Sequence, residues 1–151
     1  MAVVNQGGDI LGLPDAYIAA HDATLEADAG QIGAAGADLS LRLYANSEHA
    51  TLSALAGGDI NLETQLFEIE GSSFTVPVDY TIDGADFLSV VAGGDIAIHA
   101  LQSQVFFPSA DPGGAPTLVG VNGTYDLISV SAGGNASFAS DAGDVNVRRT
   151  R

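Results

Sequence analysis

The sequence predicts an all-β protein, a parallel β-helix of stacked strand-turn-strand units, and three observations carry that expectation. A twelve-residue pattern recurs without gaps at residues 51–62 (TLSALAGGDINL), 87–98 (FLSVVAGGDIAI) and 127–138 (LISVSAGGNASF). The 19 glycines and 5 prolines leave only strand-sized stretches free of turn residues. After each glycine corner, apolar residues alternate with the residues between them at a period of two, as in a strand with one face turned inward.

The elements follow in order along the chain. Residues 7–13 (GGDILGL), 25–32 (LEADAGQI), 35–41 (AGADLSL) and 142–147 (AGDVNV) are looser copies of the same unit. The stretch from Asp15 to Ala29 is rich in alanine, yet the alternation of Ala23, Leu25 and Ala27 suits a strand at least as well as a helix. In the three strong copies the corners are Gly57, Gly58 and Asp59; Gly93, Gly94 and Asp95; and Gly133, Gly134 and Asn135. Glycine tolerates positive φ there, and an Asp or Asn side chain can bond its own backbone, so the chain is expected to turn at each corner. Beyond the corners, Ile60 and Leu62, Ile96 and Ile98, and Val145 and Val147 form the expected inward face. Such short strands bury an apolar face only against copies of themselves, stacked about 4.8 Å apart. A coil of about 20 residues fits the interval from Asp38 to Asp59 once, and those from Asp59 to Asp95 and from Asp95 to Asn135 about twice.

The chain is expected to be a single domain, 1–151, or a fragment of a longer one, with insertions at approximately 64–86 and 100–124. Residues 64–86 are β-branched and aromatic and read as further strands. Residues 108–116, with prolines at 108, 112 and 116, read as a protruding loop. A β-sandwich is the alternative architecture, in which the corners would be hairpins. Hairpins favour Asn-Gly or Asp-Gly order, whereas these glycines precede the acid.

Charge narrows the function. Hydrophobic residues at 46% against 15% charged place the chain among folding sequences despite a net charge of −15. Lysine is absent, and Arg42 alone among the four arginines lies away from the C-terminus, where Arg148, Arg149 and Arg151 sit. With no basic patch to neutralise phosphates or anionic headgroups, nucleic acid and membrane surfaces are not expected partners. No run reaches the roughly 18 apolar residues of a membrane span. The absence of cysteine removes disulfides and thiolate metal sites. The first eight residues lack the basic and apolar regions of a signal peptide, so a secreted form is expected to be the mature part, or a piece, of a longer precursor.

The segments ending at Leu62 and Ile98 resemble the haemagglutinin repeats of filamentous-haemagglutinin-like exoproteins, over most of residues 51–147 and weakly over 7–41. These are adhesins and toxin carriers exported by two-partner secretion. The resemblance implies a right-handed β-helical stalk at the bacterial surface, structural and adhesive, binding a host or glycan ligand or stacking end to end. The lengthening repeat spacing and the Pro-rich insertion depart from that pattern.

No enzymatic activity is expected. The alternative is a polysaccharide-active enzyme or glycan-binding module, for which Asp79, Asp83 and Asp86 are the best carboxylates, since glycoside hydrolysis needs two about 5–10 Å apart. With one internal arginine there is little to hold a uronate. Stacked corner acids such as Asp59 and Asp95 could gather oxygen ligands for Ca²⁺, although the nine-residue calcium-roll repeat does not occur. No other cofactor is expected. His21, His49 and His99 read as isolated surface residues, because none has a recognised ligand spacing. Ser53, Ser89 and Ser129 recur at one repeat position and read as a structural stack. Phe106 and Phe107, beside the Pro-Gly loop, are a candidate contact patch.

Overall fold

In the computed structural model, residues 1–45, 48–70, 79–108 and 113–147 are described. Parts of the two expected insertions, 71–78 and 109–112, lie outside them, as do Phe74, Arg148, Arg149 and Arg151. The protein is all-β, and its strands belong to one curled, mostly parallel sheet.

Two parallel faces make up that sheet. One carries β1 (Ala2–Asn5), β3 (Asp22–Ala27), β5 (Ala50–Ala56), β7 (Thr81–Ala92), β10 (Thr117–Leu127), β11 (Val130–Ala132) and β13 (Gly143–Val147). The other carries β2 (Ile18–Ala20), β4 (Leu39–Tyr44), β6 (Ile60–Ile69), β8 (Ile96–Ala100), β9 (Ser103–Phe107) and β12 (Ala136–Ser140). Strand β10 belongs to both: its first half runs antiparallel to β9, and its second half is parallel to β7 and β13. That crossing joins the faces and curls the sheet.

The strands on either side of a corner do not pair with each other. β5 pairs with β3 and β7, and β6 with β4, β8 and β9, all in parallel. The corners are therefore not the hairpins of the sandwich alternative. Inward residues line up in columns across the faces: Val3, Leu25, Ala54, Val90 and Val130 on one, and Leu39, Leu62, Ile98 and Phe138 on the other. Leu25, Leu62 and Val90 are fully buried, each contributing roughly 1.5–3 kcal/mol. The stretch from Asp15 to Ala29 holds the strands β2 and β3, the latter because Ala23, Leu25 and Ala27 alternate into this core.

Three corner expectations are corrected. First, the corner glycines do not adopt positive φ; that conformation is found at Gly33, Gly36, Gly84, Gly113 and Gly143. They are glycine because a neighbouring corner comes too close. A Cβ on Gly93 would collide with the Gly57 carbonyl, one on Gly133 with the Gly93 carbonyl, and those on Gly94 and Gly134 with the carboxylates of Asp59 and Asp95. Second, the acids bond the adjacent corner, not their own backbone. Asp59 Oδ1 accepts from the Asp95 amide at 2.8 Å, and Asp95 Oδ1 from the Asn135 amide at 2.8 Å.

Third, consecutive corners are direct neighbours although 36 and 40 residues separate them, so one winding, not two, spans each interval. The surplus residues are taken up in longer strands and in excursions. β6 runs on to Ile69 and β7 begins at Thr81, while β9 and β10 form the antiparallel pair on either side of the Pro-rich loop. The corner row is Asp9, Gln31, Asp59, Asp95 and Asn135: Ile10, Ile32, Ile60 and Ile96 each donate an amide to the carbonyl of the next corner, and Asp9 Oδ1 accepts from Gln31. Asp38 is outside this row, since Ala34 and Ala37 close a local turn on their own and Leu39 pairs with Leu62.

Burial ends abruptly. In β11, β12 and β13 no residue is fully buried, and Val130 and Val147 are exposed. Val145 and Val147 thus hold the expected register, Val145 only partly buried against the core and Val147 without the expected cover among the described residues.

Candidate functional site

Functional groups converge where β7 is irregular. In an ordinary strand Asp83 and Asp86, three residues apart, would point to opposite faces. The pairing of β7 shifts register at this point: Thr124 faces Asp83 and Tyr125 faces Ala85, leaving Gly84 as an extra residue. That bulge turns both carboxylates toward the same side. Gly84 has φ 149°, open to glycine, and its missing Cβ leaves room for the His49 ring, which lies directly over it.

His49, just before β5, touches both acids: Nδ1 lies 2.9 Å from Asp86 Oδ1 and Nε2 lies 3.4 Å from Asp83 Oδ1. Its next neighbour comes from β10. Asp126 is the register partner of Asp86, and its residue is only 5% exposed although it points away from the core residue Tyr125. Asn146 Nδ2 donates to Asp126 Oδ1 at 3.0 Å. Ligand atoms of His49, Asp86 and Asp126 all lie within 4.8 Å of one another. Asp86 and Asp126 belong to a polar row along one face, Asp22, Thr51, Asp86, Asp126 and Asn146, in which Thr51 Oγ1 donates to Asp22 at 2.8 Å.

The electrostatics follow from this crowding. The hydrogen bond to Asp86 raises the His49 pKa, the charges of Asp86 and Asp83 add to it, and partial burial opposes it. A cleft of about 340 Å³ opens beside the ring, lined by Glu48, His49, Glu68, Tyr80 and Asp83 among others. There Tyr80 donates to Glu68 at 2.7 Å, and desolvation with the Glu68 carboxylate pushes the phenol up to about 12. Burial, with Glu70 nearby, raises Glu68 itself.

Of Asp79, Asp83 and Asp86, the best carboxylates in the sequence, Asp83 and Asp86 are thus brought together around His49. Asp79 does not belong to the cluster of ligand atoms. His49 and Asp126 were not legible, because only the register joins residues 37 or more apart. Nor are the histidines isolated. His99 Nε2 lies 2.7 Å from Asp141, and His21 Nδ1 lies 2.6 Å from the Tyr44 carbonyl, 3.8 Å separating its Nε2 from Asp22.

The other sequence candidates fall elsewhere. Asp59 and Asp95 spend a carboxylate oxygen each on backbone amides of the corner row. Ser53 pairs with Ser89, and the Ser129 carbonyl accepts from Val90, which places all three in one stack. Phe106 and Phe107 are half-buried on β9. Phe107 packs on the core, while Phe106 stands between Ile69 and Leu118, both exposed, in a short apolar row. A second cleft of about 380 Å³ is lined in part by Tyr17, Asp38, Arg42, Glu63 and Gln65, with the Arg42 guanidinium 3.6 Å above the Tyr17 ring.

Searches of protein families, of curated proteins and of solved structures found no match to this chain.

Proposed function

We propose that the chain is a β-helical structural and adhesive segment of a secreted or cell-surface bacterial protein, and that its last coil is a junction at which a further coil or a second copy stacks. One observation carries this reading: Val147, which the repeat directs inward at the C-terminal end, keeps strand register yet is 77% exposed among the described residues, and Val145 beside it is only partly buried. Among the described residues such an end also leaves ladder groups without a strand partner, a ready template for another chain. At the opposite end Met1, Val4 and Leu11 are exposed beside β1, whose strand partner is β3. The resemblance of residues 51–62 and 87–98 to haemagglutinin repeats supports the right-handed helix, the surface location and the adhesive role. Host contact falls on the apolar row of half-buried Phe106 between exposed Ile69 and Leu118.

Sedimentation velocity over a broad dilution series tests the junction. Self-association that rises with concentration and is lost in Val147→Asp is the expected result, because that side chain is 77% exposed and its replacement removes no buried contact. A wild-type chain that stays monomeric at the highest concentration overturns end-to-end stacking.

A further inference from the structure

We propose that His49, Asp86 and Asp126 form a binding site for a divalent transition ion of the Zn²⁺ class, with Asp83 as the outer partner of the histidine. The site is independent of the assembly reading, since it lies on one side of β5, β7 and β10 and needs no second copy.

Ligand geometry is the first support. Bonds of about 2.0–2.1 Å from a tetrahedral ion set neighbouring ligand atoms roughly 3.3 Å apart. His49 Nδ1 and Asp86 Oδ1 are 2.9 Å apart, and the Asp126 carboxylate completes a triangle within 4.8 Å. Small rotations about the side-chain bonds would close it on an ion.

The second support is the far side of the ring. A metal-bound histidine almost always donates its other N–H to a carboxylate or carbonyl, which fixes the ring and raises its basicity. With Nδ1 facing Asp86, His49 turns Nε2 to Asp83 at 3.4 Å. Asn146 does the same for Asp126, holding one oxygen at 3.0 Å and so orienting the carboxylate. Both inner groups are therefore steadied from behind.

Charge is the third. Asp86 and Asp126 are direct cross-strand neighbours, an arrangement of like charges that destabilises a sheet. Mixed imidazole and carboxylate donors favour Zn²⁺ or Co²⁺ over Ca²⁺, which takes 6–8 oxygen ligands.

Chelator-treated full-length protein titrated with Co²⁺ provides the test. The expected result is one equivalent bound, with the intense visible bands of a four- or five-coordinate ion, displaced by Zn²⁺ and not by excess Ca²⁺. His49→Gln and Asp126→Asn should each weaken binding more than tenfold, and Asp83→Asn roughly tenfold, as loss of an outer partner does. His99→Gln, at the separate pair with Asp141, should bind like wild type. Should Asp126→Asn lose its β-type circular dichroism, the half-exposed His49 variant decides alone. Unchanged affinity in His49→Gln, spectra of the hexaaquo ion throughout, or equal displacement by Ca²⁺ would each overturn the site.

Discussion

At the scale of single residues, the corner glycines show how a correct pattern can carry an incomplete reason. Gly-Gly-Asp was legible as a turn, and turns are what Gly57 to Asp59 and Gly93 to Asp95 form. The sequence could not reveal why two glycines are needed, because the atom that excludes a Cβ on Gly93 is the Gly57 carbonyl, one repeat earlier. Local propensity says nothing about such an approach. The consequence is measurable. Gly93→Ala forces the two backbones apart and should cost about 1–3 kcal/mol, the usual range for overpacking. Gly7→Ala adds the same methyl where nothing lies within 4 Å, so its effect should stay within about 0.5 kcal/mol, or be slightly stabilising through the unfolded chain. Urea midpoints with unchanged slopes decide between them. Equal losses in both variants would show that close approach is not what the corner glycines serve.

At the scale of elements, strands were legible and their partners less so. Alternation marks β3, β6 and β8 directly, since Leu25, Leu62 and Ile98 fall on every second position. The bulge at Gly84 leaves no such mark, because one extra residue looks like any other until β10 is laid beside β7. For that reason half of the acidic site was visible, as Asp83 and Asp86, and half was not. The same holds for the contact between β8 and the turn that follows β12. His99 on β8 meets Asp141, whose amide also donates to the Ala100 carbonyl at 2.9 Å. The hydrogen bond to Asp141 raises the His99 pKa; desolvation opposes this, and the charges of Asp141, Glu63 and Asp38 reinforce it. A raised histidine stabilises the folded state fully below its unfolded pKa of about 6.5, and that contribution fades as pH climbs through the higher folded value. The pair is half-exposed, 42% and 48% for the two side chains, so its worth is at most about 1 kcal/mol. Denaturant melts of wild type and His99→Gln should therefore differ most below about pH 6.5 and converge as pH rises through the higher folded value. A difference that does not change with pH would remove the ion pair from the account.

At the scale of the whole molecule, the periodic core was legible and the winding count was not. Repeats 36 and 40 residues apart suggested skipped coils. Parallel strands, however, need only matching inward faces, and a long connection closes at little extra entropic cost, about 0.6 kcal/mol for each doubling of loop length. Excursions such as the β9 and β10 pair therefore grow out of the stack without displacing its register. The open C-terminal end and the net charge of −15 then set opposing forces on assembly. In the proposed stacking, the exposed strand end would favour a second copy, and the charge of two acidic chains would repel it. Salt should shift that balance. Between about 0.01 and 0.1 M the Debye length falls from about 30 to about 10 Å, which weakens the repulsion and leaves the apolar contact in place. At fixed protein concentration, the sedimentation coefficient of wild type should rise over this range. Val147→Asp should not follow, because its added charge lies within the contact, too close for salt to screen. Assembly that instead dissolves as salt is added would mean that paired charges hold the copies together. The contact would then have to be sought on the acidic faces, not at the exposed Val147.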